Sequence, residues 1–442
     1  MTANVDLFDV RESLAKHILA DGYDVIIDLE KSHGSWIVDA GSGREYLDLF
    51  SMFASMTVGY NHPFMVEHQD RLAHAALHKP TLSDIYTREY AEFLDTFAQT
   101  GIPDYLPHAF FIEGGGLAVE NSLKAAFDWK VRKNIAAGKG ERGSRIVHFK
   151  GSFHGRTGYT MSLTDSPDPR KTLYYPQFDW PRITHPTVQF PLDDSSIEAA
   201  RALEDQAIGE IKSALHAAPD DIAAIIIEPI QGEGGDNHIR PEFARQLREL
   251  CDEQELLLIY DEVQTGVGIT GKFWAHELFG EEARPDVISF GKKTQVCGML
   301  AGPRLDENEH NVFTESSRIN STFGGNLADM VRFDLILQIM RDENILEQVQ
   351  SSGEVLMPQL HGLAEEFPGF VTHPRGAGLF AAFDLPSSTE RDAAISKIME
   401  NGLIIMGCGP RSIRFRPHLN ITTAELDTAM EIITRSIRSC LA

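Results

Sequence analysis

Residues 223–235 read Ala-Ala-Ile-Ile-Ile-Glu-Pro-Ile-Gln-Gly-Glu-Gly-Gly. Five apolar residues in a row are too few for a typical helix. They also lack the alternation of a strand with one wet face, and so predict a strand buried on both faces. The run breaks at once into an acid, a proline and glycines, which turn the chain. Leu256–Tyr260 repeats the plan and ends in Asp261-Glu262-Val263-Gln264-Thr265-Gly266. Asp286–Phe290 repeats it again and ends in Gly291-Lys292-Lys293. Upstream, Ala109–Ile112 stops at Glu113-Gly114-Gly115-Gly116, and Arg145–Phe149 is followed by Gly151-Ser152-Phe153-His154-Gly155-Arg156-Thr157. Helical periodicity lies between several of these runs, notably over Leu117–Lys130 and Glu242–Glu253. The alternation predicts an α/β fold with a mainly parallel central sheet flanked by helices. Ligands of such sheets sit beyond the carboxyl ends of the strands, so these turns are the places to look for chemistry.

The flanking sequence has a different texture. Asp9, three residues before Glu12, resembles a capping box, and Val10, Leu14 and Ile18 predict a helix ending at Gly22. Asp24–Leu29, Ser35–Asp39 and Glu45–Leu49 predict a meander, with Gly41-Ser42-Gly43 as a hairpin turn, since no helix follows those glycines. Beyond about residue 325 come a long amphipathic helix (Ala328–Arg341), further helices, and strands near Gly378–Asp384 and Ser412–Arg416. The expected organisation is a large domain over 76–325 and a smaller α/β domain built from 1–75 and 326–442. Lys and Arg number 40 against 65 acids, a formal charge of −25, which argues against nucleic acid or an anionic membrane as a partner, since both need basic stripes. The four cysteines, Cys251, Cys297, Cys408 and Cys440, are widely spaced, which argues against a disulfide framework or a zinc ribbon. No metal motif is present, the acidic amino terminus is unlike a signal peptide, and no apolar run reaches membrane length, so a cytoplasmic location is expected.

Each strand end has a bland reading beside a chemical one. Three glycines before a helix make a tight turn, or leave N–H groups open to a phosphate. An aspartate ending an apolar strand is an N-cap, or a carboxylate holding a proton on a bound heterocycle. A lysine just past a buried strand is solvated, or desolvated as a Schiff-base nucleophile. Taken together the chemical readings describe pyridoxal phosphate, which needs a lysine, an acid beside its ring nitrogen, a phosphate cradle and a stacking partner. Phe153 is placed to stack.

The order of the Gly-rich turn, Phe-His-Gly-Arg-Thr, Glu-Pro-Ile-Gln-Gly-Glu-Gly-Gly, Asp-Glu-Val-Gln-Thr-Gly, Gly-Lys and Ser-Thr-Phe-Gly-Gly-Asn (Ser321–Asn326) resembles class III aminotransferases from about Leu47 to Arg416. More narrowly, Gly114–Lys130, Phe178-Asp179-Trp180-Pro181-Arg182 and Gly291–Gly298 resemble L-lysine 6-aminotransferases. The resemblance implies the fold-type-I architecture of pyridoxal-phosphate transferases and a homodimer with shared active sites. It implies Lys292 as the lysine that carries the cofactor, with Lys293 as its rival, and Asp261 as partner of the ring nitrogen. Gly115 and Gly116 then cradle the phosphate, Gln264 touches the ring oxygen, and Thr322 reaches the phosphate of the neighbouring subunit. Glu228 is counted with these cofactor contacts. Gly116 departs from the pattern, which has alanine there, and suggests a looser turn.

The reaction implied is a ping-pong transfer of the ε-amino group of L-lysine to 2-oxoglutarate, giving 2-aminoadipate 6-semialdehyde and glutamate. Another ω-aminotransferase, using ornithine, 4-aminobutyrate or a diamine, is the alternative. Lysine carries a carboxylate far from the reacting carbon, whereas 2-oxoglutarate has one adjacent to it as well. Arg156 is the expected partner of the distal group and Arg414 of the proximal one. Glu233 is expected to pair with Arg414 while lysine is bound and to swing away for 2-oxoglutarate. His154 is expected to pack and hydrogen-bond rather than act as acid or base.

Overall fold

A computed structural model describes residues 10–78 and 84–441. Seven strands form its large sheet: β1 (His108–Ile112), β2 (Arg145–Phe149), β3 (Arg182–Ile183), β4 (Ile222–Ile227), β5 (Leu257–Asp261), β6 (Val287–Phe290) and β7 (Cys297–Ala301). Their order is β1-β7-β6-β5-β4-β2-β3. All pairings from β6 to β3 are parallel, with Val147 opposite Ile225, Ile226 opposite Ile259 and Ile259 opposite Val287. Only β7 runs the other way, antiparallel to both β1 and β6. Residues 291–296 are too short a link for a crossover helix, so the chain has to return antiparallel. That return carries Lys292.

The uninterrupted apolar runs are explained by two cores, one on each face of the sheet. Ile225, Ile227, Leu258 and Tyr260 enter one. Ala224, Ile226, Leu257 and Ile259 enter the other, packed with Val119, Leu123, Ala126 and Trp129 of the helix Gly115–Ala136. Fully burying each large aliphatic side chain contributes about 1.5–3 kcal/mol. The strand ends that hold the polar residues are thereby anchored.

A second, antiparallel sheet joins Thr372–Ala377, Phe380–Asp384, Ser412–Phe415 and Met406–Cys408, in that order. The predicted hairpin forms between Trp36–Val38 and Glu45–Asp48. Leu403–Ile404 adds to it in parallel, so both terminal segments build the smaller domain. The helix Gln69–His78 runs across the boundary expected at residue 75 and packs on Leu327–Asp342.

Two expectations fail in the amino-terminal segment. Asp24–Leu29 is not a strand: the Asp39 carboxylate takes the N–H of Ile26 at 2.9 Å, reducing the ladder to a single bridge, Ile27 with Asp39. The first helix spans Val10–Ala15, ending well before Gly22, and the expected cap Asp9 lies outside the described residues. Among the described residues, no helix is long and apolar enough to cross a membrane, and no group of three or more His, Cys, Asp or Glu is arranged to hold a metal.

Candidate active site

The carboxyl ends of β1, β4, β5 and β6 bring the predicted residues toward one region. Asp261 closes β5 and is 4% exposed. Its Oδ1 accepts the N–H of Val263 at 3.1 Å, and its Oδ2 lies 2.7 Å from Nδ1 of His154. A carboxylate offers only acceptors, so the imidazole donates from Nδ1. His154 is thus buried and hydrogen-bonded, as expected, and its partner is the aspartate itself. The contact spans 107 positions of chain.

Glu228 follows β4, where it accepts from the N–H groups of Phe153 (2.9 Å) and Gly232 (3.0 Å). Burial raises its carboxyl to about 7; Asp261 adds to the rise, while His154 and the two backbone donors oppose it. The folded value lies above the ordinary one, so between them the folded chain binds more protons than the unfolded chain. The stabilisation is complete below the ordinary value and is lost as pH rises through about 7. In the cofactor-free chain, stability relative to Glu228→Gln is expected to fall by about 3 kcal/mol across this window. Urea denaturation at a series of pH values measures the change, and parallel curves for the two chains would contradict it.

The adjacent lysines differ sharply. Lys293 is fully buried, and its Nζ donates to the carbonyls of Gln264 and Gly266, both at 3.0 Å. Burial, followed by Arg416 and Lys292, drives its pKa well below the usual lysine value. Lys292 has a φ of +54°, a left-handed conformation costing an L-residue about 1–2 kcal/mol. Burial first, then Arg414, lowers its pKa, while Asp261 and Glu228 act in the opposite direction. Its amine therefore feels the charge of both carboxylates and of one guanidinium.

The helix Gly115–Ala136 begins at Gly114, with no capping side chain and no acid in its first turn, so its first N–H groups are open to an anion. A Cβ on Gly115 would lie 2.8 Å from Val263 Cγ1, which explains the glycine there. A Cβ on Gly116 would meet Thr157 at 3.4 Å, a distance that leaves room for a methyl. Across from this turn, Gly155 needs its glycine, because a Cβ would come 2.8 Å from the Cα of Gly116.

Gln264 Oε1 accepts from Arg414 Nη1 at 3.2 Å and from Arg416 Nε and Nη2 at 3.0 Å each. The amide oxygen is committed to these cations, so the NH₂ is the end left to donate. Arg414 is buried, and its Nε has no hydrogen-bond partner. Glu233 does not pair with it here: its carboxylate takes an ion pair from Lys171 and a hydrogen bond from Ser166 Oγ. Arg156 is exposed, lining a cleft of about 510 Å³ with Thr157, Lys171 and Tyr175. Thr322 is exposed ahead of the helix Leu327–Asp342, whose cap is Asn326.

Three contributors were missed in the sequence. Arg416 is buried, bidentate to Asp236 and stacked 3.4 Å above the ring of Phe380. Its signal was available: two residues on from Arg414, it shares that residue's face of an extended segment. Asp236 lies at a bend and Lys171 ends a single 3-10 turn, Pro169–Lys171, both too short to show a periodic pattern.

The family model for aminotransferase class-III matches residues 18–437. The chain belongs to this family. An L-lysine-epsilon aminotransferase of Amycolatopsis lactamdurans is 48% identical over 441 residues, 99% of this chain and 97% of its own length. The mitochondrial 4-aminobutyrate aminotransferase of Rattus norvegicus is 32% identical over 427 residues, 90% of this chain and 82% of its own. A solved structure, lysine aminotransferase from M. tuberculosis in the internal aldimine form, superposes with a TM-score of 0.95 at 47% identity, covering 98% of this chain and 99% of that one. The cofactor of this class-III aminotransferase is pyridoxal 5′-phosphate. The uncapped helix start and the desolvated lysine under the influence of two carboxylates fit that group's phosphate and aldehyde.

Proposed function

We propose that this aminotransferase transfers the ε-amino group of L-lysine to 2-oxoglutarate, giving L-2-aminoadipate 6-semialdehyde and L-glutamate. We further propose that it works in the cytoplasm as a homodimer, without nucleic-acid or membrane partners. The observation that carries the reading is the desolvated Lys292 amine under the influence of Asp261, Glu228 and Arg414, in a chain that matches an L-lysine-epsilon aminotransferase along nearly its whole length.

Bound pyridoxal phosphate supplies an electron sink for the carbon that gives up its proton. Lys292 would hold the cofactor covalently, and its lowered pKa would keep more of the released amine neutral. That neutral amine would serve as the base for the proton on the carbon bearing the reacting nitrogen. Asp261, held in place by His154, keeps a proton on the ring nitrogen. The N–H groups at Gly115 and Gly116 receive the phosphate, joined by Thr322 of the second copy. Gln264 would donate its NH₂ to the ring oxygen and Phe153 would stack on the ring, its backbone fixed by Glu228. Arg156 binds the distal carboxylate of either substrate, and Arg414 the proximal carboxylate of 2-oxoglutarate.

L-Lysine labelled with ¹⁵N at either nitrogen, supplied with 2-oxoglutarate, tests the reading. Label from the ε position is expected in glutamate. Label from the α position, or transfer only from ornithine or 4-aminobutyrate, would replace lysine ε-transfer with another donor. Sedimentation at equilibrium tests the dimer.

A further inference from the structure

Glu233 sits where a moving side chain on a fixed backbone is needed. Its carbonyl accepts the N–H of Gly409 at 2.8 Å, and a Cβ on Gly409 would lie 2.7 Å from the carbonyl of Gly234, so the main chain is clamped. The side chain has space: Glu233 lines a cleft of about 720 Å³ between Pro167–Arg170 and Gly407–Pro410. Both of its present partners, Lys171 and Ser166, come from one loop. That loop is braced by Asp168, which holds Arg170 at 2.8 and 2.9 Å and accepts its N–H at 3.1 Å. Meanwhile Arg414 keeps a buried Nε without a partner.

We infer that Lys171 is the second station of the Glu233 side chain, holding the carboxylate off Arg414 so that a substrate carboxylate beside the reacting carbon has a free guanidinium to bind. The inference rests on the function proposed above, in which one pocket takes substrates with and without that carboxylate. The arrangement seen here is the one that suits the dicarboxylate. When lysine binds, Glu233 covers Arg414 and Lys171 is released. Release costs little, because Lys171 is already 27% exposed and its ammonium, 5.5 Å from the centre of the Phe153 ring, keeps that contact without Glu233. Two cations, Lys171 and Arg414, act on the one Glu233 carboxylate, so a ligand that needs Arg414 free decides which of them holds it. Lys171 is a positioning residue in this scheme: it acts on the substrate through Glu233.

The test uses holoenzyme and glutarate, a dicarboxylate that binds without reacting. In Lys171→Met, Glu233 falls back on Arg414 and competes with the ligand. The glutarate Kd and the KM for 2-oxoglutarate are expected to rise about tenfold with kcat retained. The first-order half-reaction with L-lysine should stay within about twofold of the parent. Lys171→Arg should restore glutarate binding. So should Glu233→Gln added to Lys171→Met, because the competing charge is then gone. The inference is overturned if Lys171→Met binds glutarate like the parent, if both half-reactions fall together, or if the loss persists in the double variant, which would make Lys171 a direct ligand of the dicarboxylate. Glutarate binding does not depend on which amine is the donor, so failure of the lysine assignment is read separately from the isotope experiment.

Discussion

Lys292→Ala is expected to fold with near-parental stability and to lose transamination by on the order of 10⁵-fold, whereas Lys293→Ala is expected to lose about 2–5 kcal/mol of stability. The two residues are neighbours in sequence, Lys293 fully buried and Lys292 half-buried, and their surroundings point to opposite parts. Lys293 satisfies two buried carbonyls, at Gln264 and Gly266. Truncation leaves both acceptors without a donor, at about 1–3 kcal/mol each, and opens a cavity where the stem was. Lys292 stabilises little: its amine is desolvated and repelled by Arg414, and alanine inherits the same left-handed backbone. In the proposed role, removing it takes away the covalent anchor and the proton carrier together, and acid–base catalysis alone is worth about 10²–10⁴-fold. Urea denaturation of the cofactor-free chains and single-turnover absorbance of the reconstituted ones measure both effects. A stable, inactive Lys293→Ala beside an unstable, active Lys292→Ala would exchange the assignments.

What was legible in the sequence was whatever burial writes locally. A strand covered on both faces must be apolar at every position, so β4, β5 and β6 stood out, and the polar residues at their ends marked the site. The strand β7 did not: Cys297-Gly298-Met299 lacks β-branched residues, and its glycine is required because a Cβ at 298 would lie 2.2 Å from the carbonyl of Phe110. Asp24–Leu29 had the composition of a strand, but one aspartate side chain, Asp39, replaced the ladder partner. The pairs distant in sequence were illegible for a different reason. His154 with Asp261, Arg416 with Asp236 and Lys171 with Glu233 join residues 62 to 180 positions apart. Nothing in the local pattern of either partner encodes such a distance. The sequence supplied candidate ligands for each substrate carboxylate, and only the fold showed that Glu233 has two cations within reach rather than one.

Asp261→Asn should lower kcat in both half-reactions by about 10³-fold while leaving the fold and cofactor binding in place. The carboxylate acts where charge accumulates, at a ring nitrogen in a water-poor pocket, and a preorganised charge there is worth about 2.7–4 kcal/mol. Asparagine keeps the size and one acceptor, so the Val263 N–H remains satisfied. It removes the negative charge and turns an NH₂ toward either the ring nitrogen or the His154 Nδ1–H, both of which need an acceptor. His154→Asn should cost far less, about tenfold, because the carboxylate stays charged and loses only its orientation. The pattern also separates this residue from Lys171. The charge of Asp261 serves every proton transfer, so its loss slows the amine and keto-acid halves alike, whereas the loss at Lys171 falls on the keto acid alone. Stopped-flow absorbance of each half-reaction distinguishes the two. A loss below tenfold in Asp261→Asn, or one confined to a single half, would mean that the ring nitrogen is served by some other group, and Glu228, buried close by with its carboxyl near 7, is the side chain that would have to take its place.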